Sequence, residues 1–289
     1  MPRSLNAISA LILLGILAGT PVSLRAQWFK FRTPGVPRLA NGEVNLSAKA
    51  PRLANGKPDF SGVWMTAEPG CGAGGPTPVS KLAEILPPSK KCPIRGATMS
   101  RQGVNMGIDI PGGLPYQPWL KALVDKRTAS LAVDDPHIRC LPDTFLRAYG
   151  LPHYLKFVET PNLLVMLNEM NGIYRQVFMD GRPLPNDPNP AWQGYSTATW
   201  AGDTLVVNTI GFRDDTWIDW DGSVITEEAK VRERIRRPDF GHLEIEVTVD
   251  DPKAYTKPWT VTLRQQFAPD TELIDEICNE NEKFSQHAK

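Results

Sequence analysis

Cysteine and histidine are scarce in this chain, with four of each among 289 residues. No CxxC, HxH or HExxH spacing links them, which argues against the common zinc centres. No GxGxxG loop and no alternation of strands with helices is found, so a dinucleotide-binding fold is excluded. Net charge is also missing: 32 basic side chains balance 32 acidic ones. A general nucleic-acid binder would need an excess of Lys and Arg. Beyond residue 26 no apolar run approaches the length of a membrane span. The one long run, 7–18 (AISALILLGILA), is itself short for a span; it follows Arg3 and precedes small residues ending at Ala26. That is the pattern of a signal peptide over 1–26. Its removal takes away Arg3 and Arg25 and leaves 30 basic against 32 acidic side chains, a charge of −2. The expected location is periplasmic or secreted, with no membrane span left.

What is present points to a β protein. Hydrophobic residues make up 41 %, enough to bury a core, while 27 prolines argue against many long helices. In an exported chain an even number of cysteines favours disulfides, and four allow three pairings. The favoured ones are Cys71–Cys92, across a Gly/Pro-rich loop, and Cys140–Cys278, tying the end of the chain to its middle. The second would contribute roughly 4–5 kcal/mol by restricting the unfolded chain.

Residues 27–57 read as a flexible linker in which PRLANG occurs twice, at 37–42 and 51–56. A single domain is expected over 58–283, carrying a long irregular loop at 66–118, with 284–289 a tail. Trp119, Leu120, Leu123 and Val124 recur at helical spacing and predict one amphipathic helix over 118–132. From residue 154 the period becomes two. Strands are predicted at 154–160, 163–169, 172–179, 195–200, 204–210, 231–236, 242–249, 260–267 and 271–278, with turn signals between them. In 242–249 the residues Leu243, Ile245, Val247 and Val249 share one phase and Glu244, Glu246 and Thr248 the other. Consecutive hairpins indicate an all-β fold, an antiparallel β-barrel in preference to a sandwich, because closure hides the strand edges.

Chemistry-bearing residues concentrate in a few places. The stretch 211–222 holds four acids, Arg213, Trp217 and Trp220; crowding of Asp214, Asp215, Asp219 and Asp221 would raise the pKa of at least one. Asp219, Asp221, Gly222 and Glu228 fall at calcium-loop positions 3, 5, 6 and 12, but Trp217 occupies position 1 and no flanking helices are expected. The sequence 194–198 (GYSTA) approximates GxSxG without the strand-then-helix setting that a nucleophile elbow needs. Asp239 stands three residues before His242, where it could orient the imidazole or simply make a turn. His153 is a second candidate; His137 and His287 complete the histidines. Arg182 follows the Asp180-Gly181 turn. Arg232, Arg234 and Arg236 share a strand face whose side the pattern leaves open.

Several segments together resemble a family of exported proteins of soil and aquatic bacteria. They are PDFSGVW (58–64), LPYQPW (114–119), DDPHIRCLP (134–142), YRQVFMDGRPLP (174–185), WAGDTLVVNTIGF (200–212), DFGHLEIEVTVDDPKAYTKPWTV (239–261) and PDTELIDEICNENEK (269–283). Where relatives commonly read GxPHSE, this chain has Gly222-Ser223-Val224-Ile225-Thr226-Glu227, so no histidine role carries over there. Gly62-Val63-Trp64 resembles the lipocalin Gly-x-Trp element, whose Trp plugs the closed end of a barrel. The expectation is a lipocalin-like protein binding a small apolar or aromatic molecule through Trp217, Trp220, Arg182, Tyr255 and His153, without a cofactor. One alternative is a metal-independent hydrolase or lyase using Asp239 and His242, with Asp215 or Asp219 helping. Another is an interaction module of the cell envelope.

Overall fold

The computed structural model describes residues 32–67, 100–130, 132–274 and 276–278. The stretch 1–26, the Cys71–Cys92 pairing and His287 lie outside the described residues. Nine strands close into one barrel: β1 (Gly62–Thr66), β2 (Leu155–Glu159), β3 (Leu163–Asn168), β4 (Tyr174–Phe178), β5 (Tyr195–Ala201), β6 (Thr204–Ile210), β9 (Lys230–Arg236), β10 (His242–Asp250) and β11 (Trp259–Phe267). Two short strands, β7 (Thr216–Trp217) and β8 (Val224–Ile225), form a separate ribbon. Around the ring the strands follow chain order, and β1 joins β11 to β2.

The ring is not wholly antiparallel, as the sequence led us to expect. Nine is odd, and an odd ring of strands cannot alternate direction all the way round. The mismatch is absorbed between β4 and β5, which run parallel and pair only at Val177–Ser196 and Phe178–Thr197. A parallel neighbour requires a crossover the length of the barrel. Residues 179–194 supply it, with Pro183, Pro185, Pro188 and Pro190 holding the chain extended.

Alternation decides the rest. Leu243, Ile245, Val247 and Val249 of β10 are fully buried, each stabilising by about 1.5–3 kcal/mol. Arg232, Arg234 and Arg236 of β9 point outward, where Arg236 and Arg234 meet Glu244 and Glu246 of β10 at 2.7 and 3.5 Å. The predicted last strand at 271–278 is a second correction: residues 271–274 form no strand, and Glu276 makes only an isolated bridge to Met170. The edge of β11 is already taken by β1, whose Val63 carbonyl accepts from Ala268 N–H at 2.8 Å. Pro269 and the left-handed Asp270 then turn the chain away.

The expected helix forms as α2 (Pro118–Ala129), opened by a proline at its first turn and burying Leu120 and Val124. Two one-turn helices were not foreseen, α1 (Arg101–Val104) and α3 (Phe145–Ala148). Four residues are too few to show a helical period. α1 crosses the chain after α3 so closely that a Cβ on Gly103 would lie 2.3 Å from the Gly150 carbonyl oxygen. Among the described residues no helix is long and apolar enough to cross a membrane.

The described part of the expected 27–57 linker, from residue 32 on, lies along one end of the barrel. Each PRLANG copy makes the same turn. Arg38 and Arg52 donate to the Gly42 and Gly56 carbonyls four residues on, and the same guanidinium groups pair with Asp270 and Asp203. Between the copies, Leu46 and Ala48 accept backbone hydrogen bonds from Gly241 and Phe240 at 2.7 Å. The repeat is therefore a pair of matched clasps. At the opposite end, Cys140 and Cys278 form the expected disulfide, closing a loop of 138 residues.

The barrel centre is packed around one buried ion pair. Arg175 of β4 reaches across to Glu233 of β9, with a second contact at 3.1 Å through Nη1. Its Nε donates to Ser196 and its Nη2 to Thr209, while Tyr149 Oη donates to Glu233 at 2.9 Å. The Arg175 guanidinium also lies 3.4 Å from the Phe145 ring centroid. Trp64 is fully buried, its indole N–H donating to Phe60 O and its ring covered by Arg237. The cavity left beside Phe145, Tyr149, Phe157 and Met166 measures about 20 Å³, room for one water.

Arg175→Met leaves Glu233 buried without its cation, and we expect a loss of about 3–5 kcal/mol in urea denaturation. Arg175→Met with Glu233→Leu should recover a large part of it. Equal losses in both variants would show that the charge pair is not what holds the centre.

Candidate functional site

The parallel seam shapes the outer wall. Because β4 and β5 pair over only two residues, Tyr174 and Gln176 of β4 face Tyr195 without a ladder between them. A cleft of about 460 Å³ opens there, walled by Pro142, Ile173, Tyr174, Phe178, Trp192 and Tyr195 and floored by Arg175 and Gln193. Its size suits a small organic molecule. Tyr174 is 63 % exposed, an unusual state for a large aromatic side chain. Phe178 and Tyr195 stack with centroids 5.3 Å apart. Gln193 fixes the inner edge by donating to the Asp143 carbonyl. Ile173, Tyr174, Arg175 and Gln193 also border the small core cavity, so the cleft abuts the barrel centre.

A larger cleft of about 580 Å³ lies between the crossover and residues 227–230, but Asp187, Glu227, Glu228 and Asp250 stand among its walls. With Lys230 also among them, these walls are charged, which disfavours the apolar class of ligand.

Of the residues singled out in the sequence, Arg182 is the one at the seam. It pairs with Asp180 at 2.6 Å, covers Phe178 at 4.0 Å and donates to Tyr195 Oη at 3.3 Å. The acidic loop after β6 serves packing. Trp217 is buried under the Arg127 guanidinium, 4.3 Å away, and Asp215 pairs with the same arginine at 2.9 Å. Trp220 is half-buried beside Arg147. Asp219 is wholly buried and accepts from the backbone N–H groups of Met106 and Ser223, both at 2.9 Å, so it pins the segment after α1 to the barrel end. Burial, and then nearby Asp221, push its carboxyl up to about 7. Tyr255 is buried, stacked on Tyr116 and donating to Val224 O.

Asp239 and His242 do touch, Oδ1 to Nδ1 at 2.7 Å, and Asp239 also accepts from Gly241 N–H. The pair is partly exposed beside residue 46, at the clasped end, and lines none of these clefts. His153 meets Glu276 at 3.2 Å; burial lowers its pKa. Ser196 of the GxSxG-like run is buried in the Arg175 network. Among the described residues no group of three His, Cys, Asp or Glu side chains is arranged to hold a metal ion. Sequence reasoning missed Tyr174, Phe178, Trp192 and Tyr195. The signal lay in 172–179, where Arg175 occupies the apolar phase with Val177 and thereby turns Tyr174 and Phe178 outward.

A second buried cluster stands behind Pro142. Arg147 pairs with Asp135 at 2.6 Å and Asp143 at 3.1 Å, and Asp143 holds His137 Nδ1 at 2.8 Å. The Asp143 hydrogen bond raises the His137 pKa above its ordinary value. No protein-family model, curated protein or solved structure matches the chain.

A histidine whose folded pKa is raised contributes in full below its unfolded pKa of about 6.5, and that contribution is lost as pH rises through the folded value. The stability difference between wild type and His137→Gln should therefore shrink as urea titrations move upward from pH 6. A constant difference across that range would show that His137 is not held as a cation.

Proposed function

We propose that this is an exported binding protein for a small apolar or aromatic molecule, taken up on the β4–β5 seam. The observation that carries the reading is the aromatic cleft itself: Tyr174, Phe178, Trp192 and Tyr195 around about 460 Å³, with Tyr174 left open to solvent. Ring faces and apolar walls favour a planar guest, and the adjoining polar groups of Gln193 and Gln176 would orient it. A lipocalin-like use of the barrel centre would need hundreds of cubic ångströms, against the 20 Å³ beside Tyr149. The wall, not the lumen, is thus the better host. The Cys140–Cys278 bridge suits an oxidising compartment and supports export.

The hydrolase or lyase alternative keeps one specific observation, the 2.7 Å contact of Asp239 with His242. Its partly exposed position away from the clefts makes it the second reading.

The neutral fluorophore N-phenyl-1-naphthylamine should bind saturably to the full chain. Trp192→Ala and Tyr174→Ala should each weaken binding about tenfold, as expected for loss of an aromatic wall, and His242→Ala should leave it unchanged. Binding that ignores both cleft substitutions would sink the proposal.

A further inference from the structure

Arg175 lines the seam cleft, while Arg182 touches its Phe178 and Tyr195 and Arg213 its Trp192, and the three charges are not equally available. Arg175 is neutralised by Glu233 in the barrel centre. Arg182 is neutralised by Asp180. Arg213 differs: its guanidinium lies 5.0 Å from the Trp192 ring centroid, and among the described residues no carboxylate pairs with it. Its sequence neighbours are engaged elsewhere, Asp214 with Lys253 at 3.3 Å and Asp215 with Arg127 at 2.9 Å. The backbone fixes its place, since Arg213 N–H donates to Ala191 O at 3.1 Å and Ala191 and Trp192 both line the cleft. Among the described residues no acidic side chain lines that cleft. The site therefore combines aromatic walls with one uncompensated cation at its edge.

We infer that the cleft selects an anionic guest, a small aromatic carboxylate whose ring packs against Trp192 and Tyr174 while its carboxylate pairs with Arg213. A planar guanidinium matches a carboxylate with two parallel hydrogen bonds, which a neutral guest cannot accept as strongly. Stacking on Trp192 limits the freedom of the Arg213 side chain in advance, lowering the entropy lost when the guest binds. This inference rests on the cleft being the binding site, and it deepens that reading by naming the charge of the ligand.

The test compares 2-naphthoate with 2-naphthamide, alike in shape and different in charge, by calorimetry on the full chain at low salt. Naphthoate should bind tighter by on the order of fivefold, the scale of a partly exposed ion pair. Arg213→Gln should bring naphthoate affinity down to that of naphthamide in the same variant, and added salt should weaken only naphthoate binding to the wild type. Trp192→Ala should weaken both compounds. Equal affinities in the wild type, or a preference that survives Arg213→Gln, would overturn the charge assignment while the Trp192→Ala loss keeps the cleft. Absence of binding by either compound, or binding untouched by Trp192→Ala, would overturn the cleft and this inference together.

Discussion

The Arg175–Glu233 pair is the constraint around which the barrel is organised. It links β4 to β9 across the interior, draws in Ser196 of β5, Thr209 of β6 and Tyr149 from the segment after α3, and lies against Phe145. Every one of these contacts requires that the strands keep their register, because a slip of one residue turns each inward side chain outward. A buried charge pair is a weak source of net stability but a strong penalty on wrong pairings. A centre filled this way leaves no lumen for a guest.

The parity of the ring then decides where the outer wall opens. One parallel seam is unavoidable with nine strands, and the pairing there is the shortest of the ring. The seam gives the outer wall an opening beside its two-residue ladder, where the antiparallel ladders elsewhere in the ring are longer. Arg175 belongs to both environments, since it floors the cleft from outside and anchors the core from inside. The packing of the centre and the shape of the cleft are thus coupled through one side chain. The two barrel ends are secured separately, one by the twin arginine clasps at Asp270 and Asp203, the other by the disulfide and the Asp135–Arg147–Asp143–His137 cluster.

Much of the fold was legible because its signals are local. The alternation of Leu243, Ile245, Val247 and Val249 with Glu244, Glu246 and Thr248 identifies a strand with one wet face, and turn residues mark the hairpins. The candidate site was far less legible. Trp217 and Asp219 looked functional because aromatic and acidic residues crowd one short segment, and Tyr255 was named beside them, yet burial under Arg127, two backbone hydrogen bonds and stacking on Tyr116 give them packing work instead. Trp192, Tyr174 and Arg213 are well separated along the chain and carry no motif that joins them. Likewise the PRLANG copies have the composition of a linker, and it is distant partners, those of their arginines and those of the Leu46 and Ala48 carbonyls, that hold them in place.

By itself the sequence determined the class of the protein: mostly β, with the phases of most of its strands, its helix after Pro118 and a cysteine pair able to bridge, since each depends on residues close together in the chain or on simple chemistry. Tertiary structure alone decided that the ring has nine members with one parallel seam, that its centre is full, and that Tyr174, Phe178, Trp192 and Tyr195 line one cleft on its outer wall. The physical reason is that closure and pairing are properties of the whole ring, set by which edge finds which partner, and no local periodicity encodes them.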